Sequence, residues 1–81
     1  MPARPRSAPS GVELLEAQCF AANVKRFRGE CGLSQERLGQ MAGIRQAEIS
    51  KIEAAFAVPS LGTVARVAAA LGKRAYHLLT P

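Results

Sequence analysis

The chain contains no aspartate and only one histidine, His77, so the side chains that most often do acid–base work are scarce. It offers no nucleophile–histidine–carboxylate arrangement, no carboxylate pair and no glycine-rich phosphate loop. These absences argue against an enzyme. Its two cysteines, Cys19 and Cys31, occur without CxxC spacing or a histidine cluster, so neither a metal site nor a cofactor is expected. On one helix they would lie about 18 Å apart, at about 1.5 Å per residue, too far to bridge, and they are read as reduced. No apolar run approaches the roughly 18 residues of a membrane span, and no hydrophobic core follows the N-terminal arginines as in a signal peptide. A cytoplasmic location is therefore expected.

What is present fits one small domain. Eighty-one residues, 48% of them hydrophobic, lie near the lower limit for a self-sufficient core, and dimerisation would add burial. Eleven Lys plus Arg against six Asp plus Glu give a net charge of +5, the footprint of a polyanion binder.

Residues 1–11, with three prolines and with Arg4 and Arg6, read as a flexible basic arm. Its arginines would reach a DNA backbone or minor groove, or simply be solvated. Residues 12–81 read as the domain. Ser10 and Glu13 fit a capping box, and Val12, Leu15, Cys19, Phe20, Val24, Phe27 and Cys31 recur at helical spacing up to Gly32. The result is one long helix, or two with a kink near Ala21. Leu14, Leu15 and Cys19 need a cover, either the domain itself or a second subunit.

The stretch from Leu33 to Glu53 reads as two short helices around a tight turn. Ser34 caps the first, Leu38, Met41 and Ala42 form its apolar face, and Gly43 stops it. In the second, Ile44, Ile49 and Ile52 form a buried stripe, while Gln46, Ala47, Ser50, Lys51 and Ala54 share the opposite face. Gly39 costs about 1 kcal/mol inside a helix, which predicts a close approach there. Two helices crossing steeply through such a turn make a helix-turn-helix, whose second helix fits a DNA major groove about 12 Å wide. Farther on, Ser60 caps a helix burying Leu61, Val64, Val67, Ala68 and Leu71, Gly72 ends it, and Ala75–Leu79 form a last short helix.

Leu33-Ser34-Gln35, then Gly39, Ala42-Gly43, Ile44 and Ile49-Ser50-Lys51-Ile52-Glu53, resemble the lambda-repressor-like (Cro/Xre-type) helix-turn-helix family. Pro59-Ser60-Leu61 and Ala70-Leu71-Gly72 extend the match over roughly residues 20–79. The resemblance implies an all-α, compact five-helix DNA-binding domain with its motif at 34–54. It implies a sequence-specific regulator of transcription that binds double-stranded DNA, as a homodimeric repressor reading an inverted repeat through helix 46–54. The implied base readers are Gln46, Ala47, Ser50 and Lys51. Their chemistry agrees: glutamine suits adenine, alanine a thymine methyl group and lysine guanine. The implied phosphate contacts are Ser34, Gln35, Arg45, Lys25 and Arg28, with Gln35 also buttressing Gln46.

An Arg28–Glu53 pair would brace the first helix against the recognition helix, and Tyr76, Leu78, Leu79 and Phe56 are candidates for a dimer seam. The pattern is shared by regulators of the bacterial nucleoid and by those encoded on phages or plasmids. The sequence also departs from the family. Arg45 stands where a capping serine or threonine is usual, and Lys73 and Arg74 are likewise atypical. The loop Ala54–Ser60 carries no charge for DNA, and its Phe56 is either a core residue or an exposed anchor. That loop supports a rival reading, a protein-interaction module such as an antitoxin-like partner or adaptor.

Overall fold

Five helices account for the fold in the computed structural model, which describes residues 11–81: α1 (Gly11–Glu30), α2 (Gln35–Ala42), α3 (Gln46–Glu53), α4 (Leu61–Ala70) and α5 (Ala75–Leu79). No strand occurs among the described residues. The expected arm, with Arg4 and Arg6, and the Ser10 half of the capping box lie outside them. α1 is a single helix of 20 residues, not two.

One apolar core joins all five elements. α1 contributes Phe20, Val24 and Phe27, α2 Leu38 and Ala42, α3 Ile49 and Ile52, α4 Val64, Val67 and Ala68 with Leu71 just beyond it, and α5 Leu78. Each set follows the three-to-four spacing that places side chains on one helical face. Three expectations need correction. Leu61, in register with Val64, is exposed because it is the first residue of α4 and its turn overhangs the core. Cys31 is exposed, since α1 ends before it. Leu78 is fully buried in its own protomer, so a surface role at a dimer seam is ruled out; Tyr76 and Leu79 remain on the surface of α5.

The core has one buried polar side chain that composition does not suggest. The Asn23 amide donates to the carbonyls of Leu78 at 2.8 Å and Thr80 at 2.9 Å, tying the C-terminal segment to α1. α5 has five residues, too few to persist alone, and this anchor with Leu78 holds it.

The turns share one closing device. Ile44 N–H reaches back to the Gly39 carbonyl at 2.8 Å, and Gly43 N–H to Gln40, with Gly43 left-handed at φ 70°. This is the paired six-to-one and five-to-two pattern that ends many helices on a glycine. α3 closes identically, with Phe56 N–H to the Lys51 carbonyl and Ala55 N–H to Ile52. The left-handed residue there, however, is Ala55 at φ 59°. An L-residue in that region carries about 1–2 kcal/mol of strain from its Cβ. Ala55→Gly is therefore expected to stabilise the protein by about 1 kcal/mol, the relieved strain being offset in part by glycine's greater unfolded-state entropy. Urea unfolding with an unchanged slope and a higher midpoint would show it; a lower midpoint would refute it.

Candidate nucleic-acid interface

The turn between α2 and α3 is set by contact between backbones. A Cβ placed on Gly39 would lie 2.5 Å from the Ile44 carbonyl oxygen, with Gln46 N and Arg45 C at 3.5 and 3.6 Å. Only a residue without a Cβ lets the start of α3 pass this close to α2, so Gly39 fixes the crossing of the two helices. The close approach expected from the sequence is present, and its partner is the turn's own main chain.

With α3 held there, its two faces separate cleanly. Ile49, Ile52 and Glu53 are buried, whereas Gln46, Ala47, Ser50, Lys51 and Ala54 are all exposed on the outer face. Arg45, at the N-cap, makes no side-chain cap and stands exposed beside Gln46. Glu48 is also exposed, and its side chain makes no hydrogen bond or ion pair among the described residues. Ser34 at the start of α2 accepts from the Arg37 N–H at 3.0 Å, the cap expected of it. An open groove lined by Gly39, Gln40, Ile44, Arg45 and Gln46 runs along the turn. Among the described residues no group of three metal-type side chains forms.

Behind α3 sits a polar cluster. Arg28 grips Glu53 with two parallel bonds, Nε to Oε2 at 2.6 Å and Nη2 to Oε1 at 2.9 Å, and Nη1 donates to the Leu33 carbonyl at 2.8 Å. This is the bidentate geometry that matches guanidinium to carboxylate. The brace expected of the pair is thus formed. Burial pushes the Glu53 carboxyl up, but hydrogen bonds from Arg28 and Gln35 and the nearby Lys25 charge outweigh it, leaving the group below its ordinary value. The bond to Glu53 raises Arg28 in turn, against a smaller effect of burial.

Two side chains assigned to phosphate also join this cluster. Gln35 donates to Glu53 Oε1 at 3.1 Å, so its amide supports the brace. Arg28 directs Nε, Nη1 and Nη2 to Glu53 and Leu33 and keeps 23% of its side chain accessible. Lys25 stays exposed next to this cluster. Phe56 is an exposed side chain, 68% accessible, and not the core residue that its setting also allowed. The role of Asn23 was not legible, because its partners lie 55 and 57 residues away in the chain.

Residues 24–78 match the family model HTH_3, described as helix-turn-helix. A protein of Neisseria meningitidis serogroup B, named a hypothetical transcription factor, is 38% identical over 62 residues. That alignment takes in 76% of this chain and 58% of the relative. The crystal structure of the hypothetical transcription factor NHTF from Neisseria superposes with a TM-score of 0.81 at 33% identity, covering 100% of this chain and 87% of that one. An HTH_3 family transcriptional regulator from Vibrio cholerae shares the fold, with a TM-score of 0.78 at 23% identity over 82% of this chain and 37% of its own.

Proposed function

We propose, from the premise that this chain belongs to the HTH_3 helix-turn-helix family, that it is a DNA-binding regulator of transcription. The observation that carries this reading is the outer face of α3, where Gln46, Ala47, Ser50 and Lys51 stand exposed on a helix braced from behind. Short polar side chains on a rigid helix suit major-groove base edges, while Ser34, Arg45 and Lys25 supply anion-binding groups around them. The relatives' description as transcription factors supports the same reading.

In its finer form the protein is a cytoplasmic homodimeric repressor. Two recognition helices spaced by one DNA turn, about 34 Å, read an inverted repeat with half-site centres about 10 bp apart. With about eight phosphates contacted per dimer, the logarithmic salt slope is near −7.

Selection on random duplex DNA near physiological salt, followed by sequencing, tests this directly: enrichment of an inverted repeat is expected, and a pool without enrichment refutes base reading. On the enriched site, the Gln46→Ala, Lys51→Ala double variant should lose about 100-fold or more in affinity, since each good base contact discriminates by about 1–3 kcal/mol. Unchanged affinity would remove both residues from the readout.

The exposed, uncharged Phe56, Val58 and Leu61 favour a second reading, a protein-interaction module. It gains ground if that double variant keeps full activity in cells.

A further inference from the structure

Glu48 places a surface carboxylate on a helix that has to approach a polyanion. A carboxylate in the first turn of a helix ordinarily folds back to accept the N-cap N–H, or pairs with a nearby cation. Here it does neither. The Glu48 side chain is exposed with no hydrogen bond or ion pair among the described residues, and that of Arg45, three residues before it, makes none either. Lys51, three residues after it, is likewise exposed and unpaired among the described residues. Side chains three apart on a helix are neighbours, with Cβ atoms about 5–6 Å apart. α3 therefore carries one acceptor-only group and one donor-only group, side by side and both free.

That arrangement matches one base-pair edge. In the major groove a G·C pair presents two acceptors, guanine N7 and O6, followed by one donor, the cytosine N4 amine. Cytosine N4 ends the row with only a C–H beyond it, so a carboxylate reaches it from that side without meeting an acceptor. The adenine N6 donor instead sits between two acceptors, N7 and thymine O4, which repel an anion from either side. A carboxylate brought into the groove thus meets repulsion from phosphates at every sequence and finds its best compensation at cytosine.

We propose that Glu48 and Lys51 together read a single G·C pair, Glu48 accepting from cytosine N4 and Lys51 donating to guanine O6 and N7. Lysine alone accepts any edge that offers acceptors. Glu48 narrows the choice by penalising guanine and thymine at the cytosine position. The inference rests on the DNA-binding reading above and deepens it, by adding Glu48 to the readout and by assigning two side chains to one pair.

Selection on random duplexes with the wild type, Glu48→Ala and Lys51→Ala, followed by sequencing and titration, is the test. The wild-type site should hold a fixed G·C pair in each half, and both variants should lose the preference at that pair while keeping it elsewhere. N4-methylcytosine at that pair puts a methyl group where the major-groove N4–H was. It should weaken the wild type about tenfold and leave Glu48→Ala unaffected, since one good base contact is worth at least that much. The Glu48 side chain is exposed and unbonded, so circular dichroism should show an unchanged fold. A Glu48→Ala protein that selects the same site, merely binding all DNA more tightly, overturns the inference and leaves Glu48 as a source of repulsion. Loss of preference at a different pair from Lys51→Ala overturns it too, as does wild-type indifference to the methyl group. A wild type that selects no site removes the regulator reading and this inference with it; a selected site that ignores Glu48 removes the inference alone.

Discussion

Gly39→Ala should lower the thermal midpoint by about 10 °C, although the same exchange at an ordinary helical position raises it. Alanine's better helix propensity contributes about 1 kcal/mol. Against this, the new Cβ would sit 2.5 Å from the Ile44 carbonyl oxygen, and neither backbone can yield without opening the turn. Overpacking of this kind costs about 3 kcal/mol, so the net loss is about 2 kcal/mol, at about 4–8 °C per kcal/mol for a domain of this size. The loss should extend to function, because relief of the clash rotates α3 away from α2. Affinity for a selected DNA site is then expected to fall even at temperatures where the variant is fully folded. A variant as stable as the wild type would show that the turn relaxes freely, and would remove Gly39 as the element that sets the crossing.

Loss of the Glu53 carboxylate is the second large expectation. The Glu53 side chain is only 2% accessible, whereas Arg28 keeps 23% of its own. Deleting one partner of a buried pair costs about 3–5 kcal/mol, and the accessible edge of Arg28 reduces that to about 2–3 kcal/mol for Glu53→Ala. Gln35 loses its acceptor at the same time. Replacing both Arg28 and Glu53 by leucine should recover part of the loss, because no charge is then left without a partner. The native carboxyl lies below its ordinary value near 4.5, so its contribution is complete above that value in the folded protein and disappears as pH falls through the lower native value. Urea unfolding of the wild type across that acid range should show this decline. Glu53→Gln should start lower and lack this part of it. Equal acid slopes in the two proteins would mean that the carboxylate contributes nothing.

Much of this arrangement is legible in the sequence because local chemistry marks it. Ser34 and Gly43 bracket α2, Ser60 and Gly72 bracket α4, and a glycine at position 39 announces a close approach. The brace was legible through resemblance, since Arg28 and Glu53 lie 25 residues apart and nothing local joins them. What stayed hidden depends on partners distant in sequence. Asn23 looks like a polar helical residue until its two C-terminal carbonyl acceptors are in place. Gln35 has several acceptors within its reach, and only the fold chooses Glu53. Leu61 and Leu78 both continue an apolar pattern; one overhangs the body and the other enters it, a difference that periodicity does not encode. Ala55 is ordinary in sequence, and its strain exists only because α3 must end with the chain turning left-handed there.

Tyr76 has an optical consequence. It is the chain's single tyrosine, tryptophan is absent, and its ring lies on α5 with its centroid 4.2 Å from that of His77. Nearly all the ultraviolet emission of the protein therefore arises from one ring, on an element other than the recognition helix. A dilution series followed by that light watches α5 and its surroundings. An anisotropy label on the DNA watches α3. Self-association and DNA binding can thus be recorded as two separate signals from one unmodified protein.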